Sequence, residues 1–251
     1  MVLYGAPVWS NRLSGVRRCR AKINSLQRRM AIRIARGYRT VSFEAATLLA
    51  RFPPLDILAD MDAKVYNHIR DIRQSGNSVP GAVIVRVRRQ ERRHALERWR
   101  ERLQQPQFSR KRVVDAVLPH FETWLKRGER ISYRLTQVLT GHGCFGEYLK
   151  KIGREATANC HHCEDDLDSA QHTLEECPAW ASERQVLVAK IGRDLSLPAV
   201  VTAMLAETEN WRAMASFCET VMIQKEAAER DRERTDPSRR RRRQRVNHLN
   251  A

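Results

Sequence analysis

No stretch of this 251-residue chain approaches the roughly 20 consecutive apolar side chains that a membrane-crossing helix requires, so no bilayer span is expected. The opening, MVLYGAPVWSNRL, lacks a basic segment followed by a long apolar one, and secretion is not expected. Strand patterning is nearly absent as well; AVIVRV, residues 82–87, is the only candidate. Acidic side chains are the other deficit: 29 Asp and Glu against 46 Lys and Arg leave a formal charge of +17. That excess is far more than solubility demands, and it points to a polyanionic partner, nucleic acid ahead of an acidic membrane. A strongly solvated helical surface is the bland alternative.

With 42% hydrophobic residues, the chain has apolar material for one large domain or two small ones. Its six cysteines, at 19, 144, 160, 163, 177 and 218, would permit three disulfides by parity. Without an export signal, a reducing compartment makes metal binding the better reading of any close cluster. Only Cys160, Cys163 and Cys177 cluster. Cys19 and Cys218 fall in helical patterns as small hydrophobes, and Cys144 sits in the loop-like TGHGCFG.

The pattern along the chain predicts a mainly α protein. In RAKINSLQRRMAIRIARG the apolar residues Ile23, Leu26, Met30 and Ile34 recur at helical spacing, Gly37 supplies a stop, and Arg29, Arg33 and Arg36 share the opposite face. Ser42 is placed to cap FEAATLLARF, with Glu44 in its first turn, and Pro53-Pro54 ends that helix before LDILADMDAKVYNHIRDIR begins the next. QSGNSVPG, residues 74–81, has linker composition, and a domain boundary belongs there, before the Arg-rich VRVRRQERRHALERWRERL. Further helices are expected over RKRVVDAVLPHFETWLKRG, ISYRLTQVLTG, EYLKKIG, SERQVLVAKIGRDL and the long segment from Pro198. In that last segment Trp211, Met214, Phe217 (or Cys218) and Met222 keep helical spacing. Five consecutive arginines, Arg239, Arg240, Arg241, Arg242 and Arg243, cannot bury themselves; they predict a disordered tail that binds nucleic acid or directs nuclear import, with a solubilising terminus as the plainer reading.

Cys160-x2-Cys163-x8-His172-x4-Cys177 is the densest chemical signal in the sequence. Two thiolates separated by two residues can face one ion, and His172 and Cys177 can return from the two ends of a short helix that Ser169 caps and Pro178 terminates. Such a set calls for tetrahedral Zn2+, and four protein ligands leave no place for a reactive water, so the metal is expected to be structural. His161 and His162 are poorer ligands because neighbouring residues cannot readily face the ion together with both cysteines, although either is an alternative to His172. Glu164, Asp165, Asp166, Asp168, Glu175 and Glu176 surround the cluster, and their charge repels phosphate.

Taken together and in order, YGAPVWS, LQRRMAIRIARGYRTVSFEAATLLARFPPLDI, RRHALERWRERL, RLTQVLTGHGCFGEYL and CHHCEDDLDSAQHTLEECPAW resemble the C-terminal third of the reverse transcriptase polyprotein of non-LTR, LINE-like retrotransposons of the class inserted in arthropod ribosomal or telomeric repeats. The resemblance covers most of residues 1 to 230. It implies a helical thumb-like segment over residues 1–75, a basic linker and helix over 76–112, a helical domain over 113–232 holding a zinc knuckle at 160–177, and an Arg-rich disordered tail over 233–251. Cys160, Cys163, His172 and Cys177 match the family's knuckle ligands. The expected partners are template RNA, target DNA and the upstream polymerase domain of the same polyprotein, in a protein made in the cytoplasm and residing in the nucleus.

The family's polymerase needs a Tyr-x-Asp-Asp turn and an earlier strand aspartate to hold two metal ions. Here the only adjacent aspartates are Asp165 and Asp166, inside the knuckle and without the tyrosine, so the chain is expected to be catalytically inert alone. Contacts to the nucleic-acid backbone are expected from Arg28, Arg29, Arg33, Arg36 and Arg39, from Arg88, Arg89, Arg92 and Arg93, and from the terminal arginines. Tyr38, Trp99 and Trp124 are candidates for stacking on bases, although an aromatic in a helical pattern is more often core. The competing reading is a zinc-stabilised helical module whose acidic knuckle binds a basic protein.

Overall fold

A computed structural model describes residues 3–76, 78–106, 112–236 and 238. Among the described residues, twelve α-helices, two short 3-10 helices and one π-type turn account for the regular structure, and no strand occurs. Contacts group the chain into two compact units. One is built from residues up to Ile34 together with Ser42–Val114; the other combines Ala35–Val41 with the described residues from Asp115 onward.

The first unit comprises α1 (Ala6–Gly15), α2 (Arg17–Ile34), α3 (Phe43–Leu49), α4 (Leu55–Gln74) and α5 (Gly81–Gln104). Ser42 caps α3 as expected, its hydroxyl accepting from the Ala45 amide at 3.3 Å. Helix α4 starts at Leu55, directly after the two prolines, and buries Leu55, Ile57, Ala59, Ala63 and Val65. Against it lie α1, through Ala6 and Leu13, and α5, through the stripe Val87, Ala95, Trp99 and Leu103. The charges follow this packing. Arg102 of α5 donates to both oxygens of Asp56 at 2.9 and 3.1 Å, and Arg98 pairs with Asp60, one turn further along α4.

Three expectations are corrected in this unit. The inward face of α2 carries Gln27 and Ala31, whereas Leu26, Met30 and Ile34 point to solvent. The reason lies in the loop that α2 covers: Gln27 donates to the Pro53 carbonyl at 2.8 Å and accepts from the Leu55 amide at 2.8 Å, satisfying backbone groups at a helix start that has no side-chain cap. A small residue one turn on, Ala31, lets the backbones approach. The stop is also not at Gly37; α2 ends at Ile34, and the left-handed residue that follows is Arg36, with φ of 52°. AVIVRV, finally, forms the first turns of α5. Its β-branched residues have no strand to pair with, and Val87 falls in register with Ala95, Trp99 and Leu103 on one helix face.

The second unit holds α6 (Arg112–Val117, its first residues shared with the first unit), α7 (Phe121–Lys126), α8 (Tyr133–Thr140), α9 (Gly146–Lys151), α10 (Ala181–Ile191), α11 (Leu197–Ala206) and α12 (Thr208–Thr235). The single helix expected around Pro119 is two helices joined by a tight 3-10 turn, because proline cannot continue the hydrogen-bond ladder. Helix α12 is the spine. Trp211, Met214, Phe217, Cys218 and Met222 are buried along it as the spacing predicts, α8, α10 and α11 pack on it, and Trp124 of α7 meets Trp211 at 5.6 Å. It runs on to Thr235, past residue 233 where a disordered tail was expected to begin. Arg239 to Arg243 lie outside the described residues.

Ala35–Val41 belongs to this unit by specific bonds. The Thr136 hydroxyl donates to the Ala35 carbonyl at 2.6 Å, and Thr40 and Tyr148 share a hydrogen bond of 2.7 Å. The Gly-rich turn is as tight as its sequence implies. A Cβ added at Gly146 would sit 2.5 Å from the Ala158 carbonyl oxygen and 2.7 Å from that of Asn159. Gly146→Ala is therefore expected to cost about 1–3 kcal/mol in chemical unfolding, the range for forced overpacking. Gly128→Ala, where nothing lies within 4 Å, is the control and stays within about 1 kcal/mol of the parent chain.

Candidate metal centre

The loop from Ala158 to Asp168 folds back on itself through backbone bonds: the Cys160 amide donates to the Asp165 carbonyl at 2.7 Å, Glu164 to Cys160 at 2.9 Å, and Asp168 to Ala158 at 2.7 Å. Closing so short a loop forces Glu164 to a φ of 66°, in the left-handed region. The return segment starts where the sequence indicates, with the Ser169 hydroxyl accepting from the His172 amide at 2.9 Å. It is a π-type turn, His172–Glu176, in place of the expected α-helical one; the Cys177 amide reaches back five residues to the His172 carbonyl at 2.8 Å. The wider turn brings residues 172 and 177 to the same side. Arg184 of α10 then collects the carbonyls the turn leaves over, bonding Leu174 at 3.0 Å and Cys177 at 2.6 Å.

One ligand atom from each of Cys160, Cys163, His172 and Cys177 falls within 4.8 Å of the other three. Cys160 and Cys177 sulfurs are 3.9 Å apart, and the Cys163 sulfur is 3.3 Å from His172 Nε2. A tetrahedral ion with bonds of about 2.3 Å to sulfur and 2.0–2.1 Å to nitrogen sets these edges at about 3.8 and 3.6 Å. The group can hold a metal ion, and its donor set and edges are compatible with zinc. The His172 ring is oriented from within its own turn, because Nδ1 lies 3.3 Å from Glu176 and Nε2 is left toward the thiols. Burial raises the Cys160 thiol, and burial together with the neighbouring thiols pushes Cys177 up to about 12. A bound cation offsets the cost of ionising such a buried set.

The two histidines between the first cysteines take other work. His162 packs its ring on Trp180 at 4.8 Å, and burial, then the charges of Lys225 and Arg232, lowers its pKa to about 4, so it is a neutral packing ring. His161 points to Glu155 at 3.4 Å.

Beneath the cluster lies a buried network that the sequence pattern did not reveal. Asp168, only 3% exposed, accepts two hydrogen bonds from Lys225 of α12 at 2.7 and 2.9 Å, one from the Gly146 amide at 2.9 Å and one from the Thr173 hydroxyl at 3.2 Å. Lys225 is 1% exposed and also reaches Thr173 at 3.2 Å. Asp168 is thus no part of the phosphate-repelling surface to which its sequence position assigned it. The available signal was a lysine at position 225, in register with the apolar stripe through Cys218, Val221 and Met222.

The candidate nucleic-acid residues separate by unit. On α2, Arg29 and Arg33 are exposed and Arg28 is half-buried; on α5, Arg88, Arg89, Arg92 and Arg93 are all exposed. Arg36 does not extend the α2 row, because it lies beyond the helix end; with Arg39 it is an exposed residue of the Ala35–Val41 segment. Tyr38, between them, is half-buried. Its ring stacks on Tyr133 at 5.7 Å and meets the edge of Tyr148 at 5.6 Å, and its hydroxyl accepts from that of Tyr133 at 2.8 Å. Trp99 and Trp124 are core residues, 1% and 0% exposed, and offer no face to a base.

The chain is similar to the Retrovirus-related Pol polyprotein from type-1 retrotransposable element R1 4 of Nasonia vitripennis, 27% identical over 207 residues that cover 78% of this chain and 50% of that protein. It is also similar to the Putative 115 kDa protein in type-1 retrotransposable element R1DM of Drosophila melanogaster, 28% identical over 236 residues, 90% of this chain and 22% of that protein. The chain therefore spans half or less of the curated relatives it matches. No family model matches it, and no solved structure does.

Proposed function

We propose, from the premise that this chain is homologous to a region of LINE-like, R1-class non-LTR retrotransposon polyproteins, that it is the nucleic-acid-gripping region of an RNA-directed DNA polymerase. On this reading the first unit and the arginine tail hold template RNA and target DNA during target-primed reverse transcription. Chemistry is left to a polymerase domain elsewhere in the polyprotein. Cys160, Cys163, His172 and Cys177 hold structural Zn2+, whose chemistry is to fix the loop at 158–168 against the turn at 172–177. Residence in the nucleus belongs to the same proposal.

The observation that carries it is the exposed arginine row of α5. Arg88, Arg89, Arg92 and Arg93 project to solvent, as does Arg100, while Arg98 and Arg102 are spent on carboxylates of α4. The metal centre contributes differently. Glu164, Asp165, Asp166, Glu175 and Glu176 are all exposed around it, a face that repels phosphate, so its part in binding is to brace the second unit.

Filter binding at stepped salt tests the proposal. Reversing Arg88, Arg89, Arg92 and Arg93 to glutamate is expected to weaken single-stranded RNA and DNA binding and to reduce the slope of log K against log salt by about 3, at roughly 0.7–0.9 per phosphate contact. Unchanged affinity at moderate salt sinks this assignment. A tail truncation ending at Thr235 separates it from a protein-binding module, for which nucleic-acid affinity disappears with the tail.

A further inference from the structure

Between α4 and α5, inside the first unit, runs a groove of about 610 Å3. Volumes of about 300–1,000 Å3 are typical of sites that take a small-molecule-sized group. Its floor is apolar, from Val65, Ile69 and Ile84. Tyr66 stands in it 53% exposed, although it sits one residue from the buried stripe of α4 and a polar side chain would serve solubility better. Four arginines line the same space: Arg70 and Arg73 from the end of α4, Arg88 and Arg92 from the start of α5. Arg70 leans on Asp71 at 3.3 Å, but no carboxylate among the described residues forms an ion pair with the other three. Asp62 is the one acid lining the groove; it is half-buried, and that burial raises its carboxyl, the charge of Arg88 offsetting only part of the rise.

This arrangement separates two chemistries. The guanidinium groups, carried on exposed residues, attract anions to the edge of the groove. The apolar floor and Asp62 exclude phosphate from the interior and accept a flat group with hydrogen-bond donors on its edge. A tyrosine about half exposed within the groove completes what an unpaired nucleobase requires, since stacking needs a π face and duplex bases have none to offer.

We propose that the α4–α5 groove is a single-stranded nucleic-acid subsite: one unpaired base stacks on Tyr66 over the floor, and the flanking phosphates lie on Arg73, Arg88 and Arg92. This rests on the nucleic-acid reading above and deepens it by naming where sugar-phosphate contact gives way to base contact. Charge complementarity selects a polynucleotide over an apolar peptide, and the tyrosine selects single strands over duplex.

The test uses the full chain, a fluorescent single-stranded oligoadenylate, and an abasic oligonucleotide of the same length, read by anisotropy at moderate salt. Tyr66→Ala is expected to weaken oligoadenylate binding by about 5- to 100-fold, the range for loss of one base–aromatic stack. Tyr66→Phe stays close to the parent chain, and neither substitution changes binding of the abasic strand. If Tyr66→Ala binds oligoadenylate as tightly as the parent does, the subsite is overturned while the broader reading stands. If it weakens the abasic strand equally, the tyrosine supports the fold only and the subsite is again overturned. A parent chain that binds neither strand brings down both readings.

Discussion

Replacing Cys177 with serine, or treating the chain with a strong zinc chelator, is expected to lower the thermal midpoint by more than about 10 °C, with loss of helical ellipticity. Structural zinc in small domains carries about 10–16 kcal/mol of apparent binding free energy, and even a fraction of it lost moves the midpoint of a domain this size by that much. The effect follows from how the four side chains themselves are held: Asp168 and Arg184 anchor the segment to its neighbours, but among the described residues nothing else ties Cys160 and Cys163 to His172 and Cys177. The loop is closed by a handful of backbone bonds, one residue, Glu164, is in a left-handed conformation, and three cysteines and a histidine face one another with two sulfurs 3.9 Å apart. Elemental analysis of purified protein should return one zinc per chain. A chain without zinc, whose circular dichroism is indifferent to chelation, would end the metal reading.

The second large effect is expected at Lys225. Lys225→Met removes the ammonium and leaves the Asp168 carboxylate buried with only the Gly146 amide and the Thr173 hydroxyl, a loss of about 3–5 kcal/mol in chemical unfolding. Lys225→Met combined with Asp168→Asn should cost distinctly less than the sum of the single changes, because the asparagine carbonyl still accepts from Gly146 and no naked charge remains. Strict additivity would mean the two side chains do not act as a pair. Replacing such a pair entirely by neutral groups is often nearly free, so its contribution here is better described as registration: Asp168 sits between the knuckle loop, the start of α9 and the middle of α12, and only one alignment of the three satisfies it.

The sequence was most legible where local rules decide the outcome. Ser42 and Ser169 cap the turns they were expected to cap, the spine residues of α12 are buried in order, and Cys160, Cys163, His172 and Cys177 come together in a group that could hold a metal ion. It was least legible where packing between distant segments overrides local pattern. Leu26, Met30 and Ile34 make a convincing apolar stripe, yet α2 turns Gln27 inward because the two-proline loop presents a carbonyl and an amide that only a side-chain amide can satisfy together. The β-branched opening of α5 reads as a strand until the stripe from Val87 to Leu103 is seen to need one continuous helix against α4. Asp168 looked like one acid among six, since nothing local reveals a partner 57 residues away. The π-type turn has the same cause: it is completed by carbonyl contacts to Arg184, on the next helix.

Ala35–Val41 also bears on how the molecule can be dissected. The polypeptide passes from the first unit to the second and back within seven residues, then crosses again after Val114, so three strands of chain tie the units together. A fragment begun at any boundary between residues 42 and 114 keeps α8 and α9 but discards the Ala35 carbonyl that Thr136 needs and the Thr40 hydroxyl that Tyr148 needs. The second unit is therefore not detachable at its apparent start, and an excised C-terminal piece carries a seven-residue wound that no choice of later start site can heal.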